Sequence, residues 1–287
     1  MQPKLARRVD ALIAERTPFV VATVVRAQHP TSVHPGDSGI VLGDGSIEGF
    51  VGGACAETSV RLQALRALET GEALLLRIVP EGDHTADTEG AIVVRNPCLS
   101  GGALEIFLEP RLPAPRIAVL GETPIGHAVA AIAEHLGYDI AITASAPADL
   151  SDDVALVIAS HGHEEEQALD AALAAHVPYI GLVASRKRGK AVIEELASRG
   201  VTGLDRVRTP AGLDIGAKSA EEIALSIVAE IVASRGARAV VAPASAVDPV
   251  CGMTVAVTEA TPKTEHDGRT IYFCSDGCLN RYAAALG

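Results

Sequence analysis

Residues Arg116–Ile142 read RIAVLGETPIGHAVAAIAEHLGYDIAI, and this stretch decides the fold. Ile117–Leu120 is a short apolar run with β-branched residues, closed by Gly121. Ile125, Val129, Ile132, Ala133 and Leu136 then recur at helical spacing on one stripe, which Gly137 stops. A second apolar run follows at Ile140–Ile142. Strand, glycine turn, helix, glycine and strand make one βαβ unit, the half-site of a nucleotide-binding parallel sheet. The turn is G-E-T-P-I-G, so Gly121 and Gly126 hold the first and third glycine places of the dinucleotide fingerprint and Thr123 fills the second. The second glycine normally lets the backbone touch a pyrophosphate, and an acid after the second strand binds a ribose. Thr143, Ala144 and Ser145 stand where that acid belongs. The turn therefore specifies the sheet more firmly than it specifies a nicotinamide ligand.

Downstream, Val154–Ala159 reads as a third strand ending in Ser160-His161-Gly162-His163. An alanine-rich helix, a strand at Tyr179–Val183 and a helix opened by Ser185–Lys190 follow. Ser219-Ala220-Glu221-Glu222 is a capping box opening a last helix through Ile223, Ile227 and Ile231. Ligands of doubly wound sheets bind at the carboxyl ends of strands, which puts Gly121 and His161 on the edge of one crevice; His161 and His163 read equally well as ordinary surface histidines capping a helix. Arg186, Lys187 and Arg188 occupy a first helical turn, where the helix dipole disfavours cations. A plain solvated face is the alternative, but an anionic ligand such as a phosphate explains the misplaced charge better. Asp214, in the loop Gly212–Ala217, either orients a ligand or binds neighbouring backbone N–H groups.

Upstream, Lys4–Glu15 is amphipathic, with Leu5, Val9, Leu12 and Ile13 expected inward. Phe19–Val25 reads as a buried strand, and Ile40–Leu42 with Ile47–Val51 as a hairpin. Gly52-Gly53-Ala54-Cys55 leads into a helix, so Cys55 falls in a first turn whose free N–H groups favour a thiolate. Strands at Leu74–Val79, Ile92–Val94 and Leu104–Leu108 follow, separated by the acidic loop Glu81–Gly90 and by Asn96–Gly102. Cys98 lies in that second glycine-bearing loop, so Cys55 and Cys98 together read as a catalytic pair, against the alternative of two small buried hydrophobes. These elements make an N-terminal α+β domain, residues 1–110, followed by a proline linker to Pro115. A Rossmann-like domain covers 116–236.

Arg235–Val247 reads as a flexible connector, and residues 248–287 are too few for an ordinary core. They carry Cys251, Cys274 and Cys278 at the spacing C-x22-C-x3-C, over a small hairpin and a helix. That is a metal pattern with three thiolates, suited to zinc or copper, with His266 a possible fourth ligand.

The 287 residues are 48% hydrophobic but only 3% aromatic, which suits helix-on-sheet layers of Ala, Val, Leu and Ile. The formal charge of −12 argues against nucleic acid or an anionic membrane as a partner. No apolar run is long enough for a bilayer span and the N-terminus lacks a signal-peptide core, so a cytoplasmic protein with reduced cysteines is expected.

The segments GGAC, CLSGG, the Gly121 turn, GLVASRKR and GLDIGAKSAEEIALSIVAEIVA together resemble the XdhC/CoxI family of molybdenum-hydroxylase maturation factors. The similarity covers nearly all of residues 1–236, and Gly212–Ala233 is its most specific part. The resemblance implies a two-domain protein that binds molybdenum cofactor (molybdopterin cytosine dinucleotide), assists its sulfuration and hands it to an apo-enzyme such as xanthine or carbon monoxide dehydrogenase. It implies an apo molybdenum hydroxylase and a sulfurase as partners, and a homodimer. By position Cys55 and Cys98 match the family's glycine-flanked cysteines. Gly52, Gly53, Gly121, Thr123, Gly126, His161, Ser185, Arg186 and Asp214 then form the cofactor-binding set. Family turns usually read G-x-G-H-x-G with an acid after the second strand, and both features are lost here. The opposing reading is an oxidoreductase holding FAD or NAD(P) in the same interdomain crevice. Asp248–Met253 with Tyr272–Ser275 and Cys278 resembles a YHS domain, a CoxF-like combination, and adds a copper or zinc carrier or sensor as a third reading.

Overall fold

The computed structural model describes residues 2–80, 90–96, 102–234 and 243–286. The chain divides into two compact units, Met1–Pro113 with Ala239–Gly287, and Ala114–Arg238. Among the described residues no helix is long and apolar enough to cross a membrane.

The first unit begins with α1 (Pro3–Ala14), β1 (Phe19–Gln28), β2 (Ser38–Leu42), β3 (Ile47–Gly49), α2 (Ala54–Thr70), β4 (Leu74–Pro80), β5 (Ala91–Asn96) and β6 (Ala103–Arg111). Its sheet runs β3-β2-β1-β6-β4-β5 and is antiparallel except for the β4–β5 pair. Side chains alternate across a strand, and both faces of β1 are covered. Phe19 and Val21 meet Leu5 and Leu12 of α1, whereas Val20, Ala22 and Val24 meet Val60, Ala64 and Ala67 of α2. Ile13 falls off the α1 stripe and is 58% exposed, contrary to expectation. The expected linker is shorter than its prolines suggest, because β6 continues to Arg111 and sets Pro110 opposite Val20.

The second unit contains β7 (Arg116–Leu120), α3 (Pro124–His135), β8 (Asp139–Thr143), β9 (Asp153–Ile158), α4 (Glu165–Ala174), β10 (Tyr179–Leu182), α5 (Arg186–Ser198), β11 (Val207–Arg208) and α6 (Ala220–Ser234). Its five strands are parallel in the order β11-β10-β9-β7-β8. Leu169, Leu173 and Leu196 of α4 and α5 pack on Leu120, Leu156, Ile158 and Ile180. Val129, Ala133, Ile227 and Ile231 of α3 and α6 pack on Ile117, Val119 and Val157 across the sheet. The sheet is therefore doubly wound, as the βαβ reading requires. The capping box is reciprocal: the Glu222 amide donates to Ser219 Oγ (3.2 Å) and the Ser219 amide to Glu222 Oε2 (3.1 Å). Leu136, assigned to the buried stripe of α3, is 56% exposed because it caps the helix rather than facing the sheet.

The chain then returns to the first unit as β12 (Ser245–Val247), β13 (Thr254–Ala256), β14 (Lys263–His266), β15 (Arg269–Tyr272) and α7 (Asp276–Leu286). β12–β13 and β14–β15 are antiparallel pairs. The last residues of the expected connector are thus strand, while 235–242 lie outside the described residues.

Candidate functional site

In the second unit, β8 flanks β7 on one side and β9 on the other, so the topological switch point opens beside Gly121. Gly121 has φ +114°, and a Cβ there would lie 2.5 Å from the Ala159 carbonyl oxygen, so glycine is required. A Cβ on Gly126 would run into the Gly121 carbonyl, which keeps α3 close to the turn. Thr123 is the N-cap of α3, its Oγ1 accepting the Gly126 amide at 3.2 Å, with Pro124 at the first helical position. The residue replacing the second fingerprint glycine therefore has a structural task.

After β9, buried Ser160 donates its hydroxyl to the His163 carbonyl (2.7 Å), and His161 is exposed with φ +54°. After β10, Ser185 is the N-cap of α5, accepting the Arg188 amide at 3.3 Å. Arg186 and Asp214 meet: the guanidinium donates to Asp214 Oδ2 at 3.1 Å, with side chains 83% and 82% exposed. Arg188 pairs with Glu165, whose other oxygen accepts the Gly162 amide at 2.7 Å. Two of the three cations in the first turn of α5 thus have carboxylate partners. These partners account for much of the charge that the sequence left to a phosphate-bearing ligand. The Asp214 loop is anchored from behind by Glu230, whose Oε2 accepts the Tyr179 hydroxyl (2.7 Å) and the Gly212 amide (2.8 Å). Burial, then the Glu230 carboxylate, push the Tyr179 hydroxyl well above its ordinary pKa. No local sequence signal pairs these two residues, which lie on different elements.

In the first unit, Gly52 is buried, exposed Gly53 is the N-cap of α2, and Cys55 is half-buried in the first turn. Cys98 lies outside the described residues. Cys55 meets instead the C-terminal cysteines, packing with Cys251 against Cys274, Cys278, Val255 and Phe273. Thr58, one helical turn on, donates to the Cys274 carbonyl at 2.6 Å.

Cys274 Sγ lies 3.5 Å from Cys251 Sγ and 3.6 Å from Cys278 Sγ, and all four cysteines in the described residues are free thiols. These three sulfurs and one Asp248 oxygen lie within 4.8 Å of one another. Asp248 is wholly buried; its Oδ1 accepts the amides of Val250 (2.8 Å) and Cys251 (3.4 Å), and its Oδ2 that of Cys274 (2.7 Å). One side chain thereby joins the Cys251 turn to the segment before α7. Sequence reasoning missed it, although Asp248-Pro249-Val250 has the form of an Asx-turn, with the side chain bonded to the amide two residues on. Burial raises the Asp248 carboxyl, but the Cys274 and Val250 amides outweigh it and hold it below the usual value. Burial pushes the Cys251 and Cys278 thiols up, and for Cys274 the neighbouring Cys55 thiol does so before burial. His266 is not brought into this group; it stands edge-on to Tyr282 with ring centroids 6.1 Å apart and pairs with Asp267. The cysteine geometry fits a thiophilic ion, since the sulfur–sulfur edge of a tetrahedron with zinc–sulfur bonds near 2.3 Å is about 3.8 Å.

The chain is 24% identical over 275 residues to the molybdenum cofactor insertion chaperone PaoD of Escherichia coli (strain K12), covering 79% of this chain and 86% of that protein. It is 28% identical over 246 residues to the uncharacterized protein YqeB of the same organism, covering 76% of this chain and 44% of YqeB. One probable xanthine dehydrogenase subunit from Bacillus subtilis (strain 168) is 27% identical over 162 residues, 47% of this chain and 48% of the Bacillus protein. The chain thus spans less than half the length of YqeB and of the Bacillus protein. Residues 12–78 match the XdhC and CoxI family, 117–231 the XdhC Rossmann domain and 246–285 the YHS domain, and the chain belongs to the XdhC/CoxI family with a YHS domain at its C-terminal end.

Proposed function

We propose that this protein is a maturation chaperone that binds molybdenum cofactor in a dinucleotide form and assists its sulfuration and insertion into an apo molybdenum hydroxylase. The observation that carries the reading is the match to PaoD, which runs through 79% of the chain rather than through one domain. The strand-end edge of the second unit supports it. Arg186 and Asp214 form an exposed pair, and such pairs are worth about 1 kcal/mol or less. Arg186 can therefore leave Asp214 for a ligand phosphate at small cost, while Ser185 keeps α5 in place. Gly121 and Gly126 let the β7–α3 turn lie close to the Ala159–Ser160 strand end. This turn does not discriminate between the molybdopterin dinucleotide and FAD or NAD(P), since all carry a pyrophosphate and Thr123 caps a helix where a glycine would let one approach. The C-terminal module holds a thiophilic metal ion through Cys251, Cys274 and Cys278, a reading favoured by the convergence of their sulfurs.

Titrating the full chain and Arg186→Ala with molybdopterin cytosine dinucleotide tests the cofactor reading. Loss of a charge-assisted hydrogen bond of about 1.5–3 kcal/mol weakens binding at least tenfold. Equal affinities, or no binding by the wild type, would refute it.

A further inference from the structure

We infer that Cys55 is the fourth sulfur ligand of the C-terminal metal site, so that a zinc-type divalent ion bridges α2 of the N-terminal sheet domain and the YHS module. The inference rests on the metal reading of Cys251, Cys274 and Cys278 and adds a ligand from a different segment of the chain.

Three sulfurs leave a tetrahedral ion one ligand short. Within the C-terminal segment the neighbouring donor is Asp248, but its carboxylate already accepts three backbone amides, at 2.7, 2.8 and 3.4 Å. Three of its roughly four lone-pair sites are thus taken by backbone amides, and swinging the carboxylate toward a metal would strain those buried bonds. Its geometry suits a residue that positions Cys251 and Cys274 rather than one that binds the ion. Cys55 approaches from α2 and packs against the buried Cys274 and Cys278 cluster, at the border of the convergent group formed by Asp248, Cys251, Cys274 and Cys278. Two further contacts hold it there. Thr58 bonds the Cys274 carbonyl at 2.6 Å, and Arg61 donates to the Gly45 carbonyl at 2.6 Å, fixing α2 to the β2–β3 turn.

Charge selects the ion. Four thiolates around a divalent cation carry −2, and around a monovalent one −3, beside a buried Asp248 carboxylate. Cys55 and Cys278 both lie in first helical turns, of α2 and α7, where the dipoles favour negative charge. Binding sends the thiol protons to solvent, so uptake is accompanied by acid release.

One consequence concerns the proposed function. Cys55 as a metal ligand is withheld from chemistry on a cofactor, so metal occupancy would govern when that cysteine is available.

The test uses the full chain, with cobalt(II) as a spectroscopic substitute for zinc. The expected result is one cobalt(II) bound with four-thiolate charge-transfer intensity in the wild type, and one with about three-quarters of it in Cys55→Ser. Zinc affinity of Cys55→Ser, measured by chelator competition, falls by more than the ten- to hundredfold typical of losing an outer-shell partner. Identical spectra and affinities would overturn the Cys55 assignment while leaving a three-cysteine site standing. No cobalt uptake by the wild type would overturn both. Alkylation of Cys55 in the unmutated chain, followed by peptide mapping, is independent of variant folding: zinc should slow it at least tenfold, and an unchanged rate refutes the ligand role.

Discussion

Replacing Tyr179 with phenylalanine removes one hydroxyl from the anchor of the Asp214 loop and leaves the ring in place. The ring is 2% exposed, and its hydroxyl donates to Glu230 Oε2 at 2.7 Å while the same oxygen accepts the Gly212 amide at 2.8 Å. A hydrogen bond to a charged acceptor is worth about 1.5–3 kcal/mol, and the Gly212 bond survives the change, so the second unit should lose about that amount. The pH dependence has a definite sign. The folded hydroxyl titrates above its unfolded value near 10, so this contribution is complete below about pH 10 and is lost as pH rises further. Wild type and variant should therefore converge in strongly alkaline solution. Urea unfolding followed by far-ultraviolet circular dichroism, with hydrogen exchange on peptides covering residues 207–217, measures the loss and locates it. A variant within about 0.5 kcal/mol of wild type at pH 7, or one keeping the same difference at alkaline pH, would refute the anchor.

Two further outcomes follow from the same geometry. Gly121→Ala meets a left-handed backbone and the Ala159 carbonyl together, so thermal unfolding of the second unit should reveal a loss of at least about 1–3 kcal/mol; an unchanged transition would mean the turn relaxes freely. Thr58→Val keeps the shape of the side chain but deletes the bond to the Cys274 carbonyl, so hydrogen exchange in residues 270–280 should speed up by about 1–3 kcal/mol of lost protection while the strands of the N-terminal sheet stay unaffected.

The parallel sheet was legible because its signals are local. Apolar runs, helical stripes and the glycines between them lie within a few residues of one another, and the capping box at Ser219 is complete in four residues. Strand limits at Arg111 and Ser245 were not, since proline-rich and small-residue stretches join a sheet only when a neighbouring strand is present to pair with them. The cysteine cluster was half legible. Spacing brings Cys274 and Cys278 to one helical entry, but the partner of Cys274 on α2 comes from a helix about which the C-terminal segment says nothing; Thr58 and Cys274 are 216 positions apart. Arg188 misled for a related reason. A cation in a first helical turn reads as ligand-seeking until its partner, buried Glu165 of a different helix, is placed beside it.

Helix α2 shows why the two ends of the first unit depend on each other. An amphipathic helix has one apolar stripe and one wet face, and α2 has no wet face along most of its length: Thr58, Ser59, Arg61 and Gln63 are buried together with Val60, Leu62 and Leu65. Val60, Ala64 and Ala67 face the N-terminal sheet, and Leu62 and Leu65 pack on Ala256 of β13. A buried leucine contributes about 1.5–3 kcal/mol, so the second face carries a substantial share of the first unit's stability. Thr58 and Arg61, polar residues between the stripes, are tolerated because each meets a defined acceptor, the Cys274 carbonyl and the Gly45 carbonyl. A helix bonded this way cannot shift on the sheet without disturbing the cysteines. That mechanical link is the route by which the ion proposed above would act on the residues that open α2, Gly52, Gly53 and Cys55.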